Sequence, residues 1–62
     1  MDEKIYTVPE VATYLKMSTS KVYLLVQKKR IPHVKIGRNV RVRETDLKKW
    51  IENNVILLPP YP

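Results

Sequence analysis

The chain of 62 residues has no cysteine, no phenylalanine, one glycine (Gly37) and one histidine (His33). Without cysteine there is no disulfide, and with one imidazole there is no Cys/His zinc site. A domain below roughly 70–80 residues rarely draws more than about 3–5 kcal/mol from one core. With staples and metals set aside, well-packed helices, self-association or a bound partner must supply the rest. The sequence contains no apolar run of 18 residues, and the opening MDEKIYT is charged rather than signal-like. The absence of cysteine fits a reducing compartment. These features predict a soluble cytoplasmic, nucleoid-associated domain with no membrane contact, cofactor or metal.

The most informative absence is local. Residues 21–43 contain no acidic side chain, yet they hold Lys21, Lys28, Lys29, Arg30, Lys35, Arg38, Arg41 and Arg43, eight of the twelve basic residues. All six acids, Asp2, Glu3, Glu10, Glu44, Asp46 and Glu52, lie outside that window. A solubilising surface mixes signs. With a net charge of +6 and a pI near 9.8, the segregation points to a polyanion docking on the middle of the chain.

Helix starts come first along the chain. Thr7 followed by Glu10 has the spacing of a capping box, and Pro9 suits a first turn. Val8, Val11, Ala12 and Leu15 then recur at helical spacing. Ser18, with Thr19 and Ser20 behind it, is the next N-cap. The apolar run Val22–Val26 could be read as a strand, but the hydroxyl cluster before it and the helix formers after it favour a helix. On that helix Val22, Leu25 and Val26 face inward, and Ser20, Tyr23, Leu24, Gln27 and Lys28 occupy the opposite arc.

Pro32 closes this segment, and PHVKIGRNVRVR reads as a hairpin turning at Gly37-Arg38-Asn39. Alternation predicts one aliphatic face (Val34, Ile36, Val40, Val42) and one cationic face (Lys35, Arg41, Arg43). ETDLKKWIENN is a third helix with Glu44 and Asp46 in its first turn and Leu47, Trp50 and Ile51 inward. Trp50 is expected in the core, and His33 at the surface of a strand end. Three prolines among the last four residues keep VILLPPYP from being helix. Its apolar residues either cover the flank of the third helix or join a neighbouring molecule. The expected fold is α+β and mainly helical: a winged helix-turn-helix in α–α–β–β–α order over residues 1–54, then an apolar tail over 55–62.

Two short helices with a tight turn, then a cationic hairpin, suit a duplex. The second helix fits a major groove, and the hairpin lies on the neighbouring backbone or minor groove. The stretch from Tyr6 to Ile51 resembles the excisionase-like proteins of the MerR-type winged helix-turn-helix superfamily. Their pattern of "xVxEVAxxL", "VSxxTVYxLI", "LPxxRIGRxxRI" and "xxDLxxWL" is met by Glu10-Val11-Ala12, Ser18, Val22-Tyr23, Pro32, Ile36-Gly37-Arg38, Arg41-Val42, Asp46-Leu47 and Trp50. The resemblance implies bacterial, phage or mobile-element DNA binding without catalysis, in excision (DNA recombination) or transcription regulation. It places Ser18, Thr19, Ser20, Lys21 and Tyr23 at the major groove and Arg38 and Arg41 on the wing. Leu24, Gln27 and Lys28 join the helix contacts on the residue pattern, and Lys35, Asn39 and Arg43 join the wing.

Two positions depart from the family: Leu24 stands where a polar residue is common, and Lys29 where glycine is common. The partners implied are double-stranded DNA, further copies of the chain arrayed on it, and an integrase or RNA polymerase. A protein-interaction module of anti-repressor type, binding an acidic partner through the same basic face, is the alternative. No nucleophile–base pair is visible, so no catalytic residue is assigned.

Overall fold

The computed structural model describes residues 3–57. Its elements run β1 (Ile5–Thr7), α1 (Val8–Leu15), α2 (Thr19–Gln27), β2 (Val34–Ile36), β3 (Asn39–Arg43) and α3 (Glu44–Asn53). Helices α1 and α3 pack against a three-stranded antiparallel sheet of order β1-β3-β2 and α2 packs on α1, giving a winged helix-turn-helix.

Local chemistry sets the boundaries. The Thr7 hydroxyl accepts from the Glu10 amide at 3.2 Å, and the Glu10 carboxylate accepts from the Thr7 amide at 2.8 Å, closing the expected box. The extended backbone of Thr7 (φ −78°, ψ 168°) lets it serve both as the last residue of β1 and as the cap of α1. The sequence reading missed β1. Its three residues pair with β3 alone, Ile5 with Arg43, Tyr6 with Val42 and Thr7 with Arg41. Such a pairing is set by the distant strand and leaves no local period to read.

Both helices of the turn motif end without glycine. Lys16 (φ 57°) and Lys29 (φ 56°) adopt the left-handed conformation. After α1 the Lys16 amide donates to Thr13 O and Met17 to Ala12 O; after α2 Lys29 donates to Val26 O and Arg30 to Leu25 O. Each is the paired 5→2 and 6→1 bonding of a Schellman cap. Thus α2 ends at Gln27, well before Pro32, and its cap is built on a lysine.

The core is Val8, Val11, Ala12, Val22, Ile31, Val42 and Leu47, with Leu25, Val26, Val40, Trp50 and Ile51 half-buried around it. Ile31, 2% exposed, was not anticipated; it pins the loop between α2 and β2. Trp50 borders the core and its indole N–H donates to Arg30 O at 2.8 Å, tying α3 to the same loop.

Hairpin register corrects the expected faces. Ile36 pairs with Asn39 and Lys35 with Val40, so the loop is the two residues Gly37-Arg38 and Asn39 belongs to β3. Residues directly opposite each other share a face. Lys35 therefore lies with Val40 on the side of the helices. Val34 and Ile36 lie with Asn39, Arg41 and Arg43 on the outer side, where Ile36 is 63% exposed. The hairpin has no all-cationic face. Residues 55–57 stand outside the core cluster, with Ile56 86% exposed, so they do not finish the core as one reading expected. The rest of that tail, residues 58–62, lies outside the described residues.

Candidate nucleic-acid interface

The N-terminus of α2 is capped by Ser18, whose hydroxyl accepts from the Lys21 amide at 3.1 Å. Its first turn holds no acidic residue, unlike those of α1 and α3. The helix anchors through buried Val22 and presents Thr19, Ser20, Tyr23, Leu24, Gln27 and Lys28 to solvent. Tyr23 and Leu24 are about half exposed, at 49% and 46%.

An open groove separates α2 from the hairpin, lined by Tyr23, Val26, Gln27, Lys29, His33, Lys35, Arg38 and Val40. Val26 and Val40 form its floor against the core. Its rim carries three cations, Lys29, Lys35 and Arg38, and no carboxylate. Four of the residues expected at the interface, Tyr23, Gln27, Lys35 and Arg38, are thus brought together.

Others are placed elsewhere. At 3.6 residues per turn, Lys21 and Lys28 fall on the flank of α2 turned away from Tyr23 and the hairpin. Arg41 stands on the outer face of the sheet beside Thr7 and Val34, half-buried, with Nη1 donating to Val40 O at 2.8 Å. Arg43 is at the far end of that face. Its guanidinium meets Asp46 through bonds of 2.6 and 3.1 Å, and the hydrogen bond and charge of that carboxylate raise its pKa.

Among the described residues the acids stand just before β1 (Glu3), at the start of α1 (Glu10) and on α3 (Glu44, Asp46, Glu52). Glu44 accepts from the Tyr6 hydroxyl at 3.2 Å and lies 3.9 Å from Lys48; Glu3 accepts from Thr45 at 3.0 Å. Partial burial, and then the Glu44 carboxylate, push the Tyr6 hydroxyl above the usual tyrosine range. Arg43 and Lys48 share that region with the acids, so the segregation of the sequence persists in space at the groove, which no carboxylate lines. Two groove residues had no individual contact assigned from the sequence: Lys29 was counted only in the basic window expected to meet a polyanion, and His33 only as a strand-end surface residue. The departure from glycine at position 29 was the available signal; the placement of His33 depends on the loop's path.

No group of three or more His, Cys, Asp or Glu among the described residues could hold a metal. No helix among them is long and apolar enough to cross a membrane.

The profile of the helix-turn-helix domain family matches residues 5–55. The chain belongs to this family. It is accordingly a DNA-binding helix-turn-helix protein, and α2 is the second helix of the motif. "Uncharacterized protein YvgK" of Bacillus subtilis is 46% identical over 48 residues, 77% of this chain and 16% of that protein. The chain thus spans about a sixth of that relative's length. No solved structure gives a significant match.

Proposed function

We propose that the chain binds double-stranded DNA sequence-specifically, as an excisionase-like factor of the MerR type or a small transcriptional regulator. The carrying observation is the groove in which Tyr23 and Gln27 of α2 face Lys35 and Arg38 of the hairpin. In this reading α2 enters the major groove. Ser20, Leu24 and Gln27 meet base edges, and Ser18, Thr19 and the start of α2 meet a phosphate. Lys21 and Lys28 take the backbone on one flank, and Tyr23, Lys29, Lys35 and Arg38 take it on the other. Asn39, Arg41 and Arg43, on the outer face of the sheet, sit farther from that surface and contribute less.

With about four phosphates neutralised, affinity should fall on the order of a hundredfold between roughly 50 and 200 mM salt. Anisotropy titration of a labelled duplex measures this, and a flat salt response would refute the reading. One recognition helix spans few base pairs, so binding as two or more copies is expected; protection confined to one half-site at saturation would contradict it. Recombination and promoter assays with an integrase or RNA polymerase separate the two roles.

The exposed Leu24 supports a second reading, an anti-repressor-type module that binds an acidic protein. Retention of such a partner after nuclease treatment, with no duplex affinity, would favour it.

A further inference from the structure

We infer that His33 is a phosphate contact that acts only in its doubly protonated form, so that DNA binding takes up a proton. The inference rests on the duplex-binding reading and adds to it one residue and its charge state.

His33 sits half-buried where the loop enters β2, on the wall of the groove between α2 and the hairpin. Its Nδ1 lies 2.8 Å from the carbonyl oxygen of Ile31. A carbonyl only accepts, so Nδ1 carries a hydrogen. In the neutral ring Nε2 is then a bare lone pair, which repels a phosphate oxygen. Adding a proton at Nε2 turns it into a charged donor. The bond to Ile31 survives, because an imidazolium donates from both nitrogens.

The surroundings set the direction of the coupling. Lining the groove with it are Tyr23 from α2, Lys29 from the turn after α2, and Lys35 and Arg38 from the hairpin; Arg30 lines the adjoining cleft beside His33. No carboxylate lines this groove. A phosphate seated in the groove brings an anion beside the ring, which favours the imidazolium, so a proton enters with it. Imidazole is the ordinary side chain that changes charge between about pH 5 and 8.

Phosphate contacts are independent of sequence, so a random-sequence duplex at low salt is a sufficient probe. Its affinity for the unaltered chain should weaken roughly tenfold from about pH 6 to about pH 8, an average uptake of about half a proton per complex. H33Q donates without titrating and should give a flat profile. H33K should hold at high pH the affinity that the unaltered chain has at low pH. Parallel profiles for the unaltered chain and H33Q would overturn the inference, whereas absence of duplex binding at every pH would overturn the DNA reading beneath it. NMR of the single histidine needs no variant: the Nε2 proton should appear on adding duplex near neutral pH. A ring that keeps only its Nδ1 hydrogen in the complex would be equally fatal.

Discussion

Replacing Lys29 by glycine should stabilise the fold and weaken DNA binding at once, two effects with separate physical causes. Lys29 has φ 56° and directly follows the capping residue of α2. An L-residue in this conformation holds its Cβ against the following carbonyl, at roughly 1–2 kcal/mol. Glycine removes that strain. It also loosens the unfolded chain, which offsets roughly 0.4–1 kcal/mol of the gain. The net should be about 0.5–1 kcal/mol in favour of K29G. For a domain of this size 1 kcal/mol moves Tm by about 4–8 °C, so a rise of about 2–8 °C is expected by circular dichroism. The same change removes a groove cation, and the slope of log affinity against log salt should fall by about 0.9. K29A is the discriminating control, since it loses the cation and keeps the Cβ. It should show the reduced slope without the gain in Tm. K16G should gain stability by the same mechanism, and its salt slope should hold because Lys16 does not line the groove. Should K29G melt no higher than K29A, the backbone argument is wrong; should both keep the original slope, the assignment of Lys29 to the interface is wrong.

Four more outcomes are expected. Alanine at Lys35 or Arg38 should each lower the salt slope by about 0.9, whereas R41A and R43A should change it by less than half as much, as read from the same titrations. W50F loses the donor to Arg30 O and part of the indole's volume beside the core, and should destabilise by about 1–3 kcal/mol in a urea melt. Because the Tyr6 pKa is raised, its contribution is complete below the ordinary tyrosine pKa of 10.0 and is lost as pH rises through the higher folded value. An alkaline unfolding series should therefore show a steeper fall for the natural chain than for Y6F. I56S, at a position 86% exposed, should leave stability within about 0.5 kcal/mol.

Much of this fold is written in local chemistry. Thr7 with Glu10 and Ser18 with Lys21 mark where α1 and α2 begin, and the bonds they predict are present. Asn54 closes α3 through its side-chain amide on Trp50 O at 2.7 Å. Periodicity selected Val22 and Leu47 for the core because a helix repeats within a few residues. What stayed hidden depends on contacts far along the chain. Tyr6 is a strand residue only because Val42 lies across from it, and Ile31 is core only because the Schellman cap at Lys29 turns the loop inward. At the interface, Tyr23 and Gln27 were legible from their arc, while Lys29 and His33 became neighbours of Arg38 only through that turn.

The hairpin shows how a single residue of loop length decides an electrostatic surface. Alternation gave each strand an apolar and a cationic set, and a three-residue turn through Asn39 would have brought like sets together. The two-residue loop moves the pairing by one, and one residue of register exchanges the faces of β2 relative to β3. Gly37, at φ 61° in the first loop position, permits this turn, and a Cβ there would meet nothing within 4 Å; its backbone, not its space, demands glycine. The exchange carries Lys35 to the side of α2, where it joins Arg38 and Lys29 in the groove, and it leaves Ile36 in solvent. Positive charge then stands on both sides of the ribbon. A ribbon charged this way suits a backbone met edge-on and tip-first, with Arg38 leading, better than one laid flat against it.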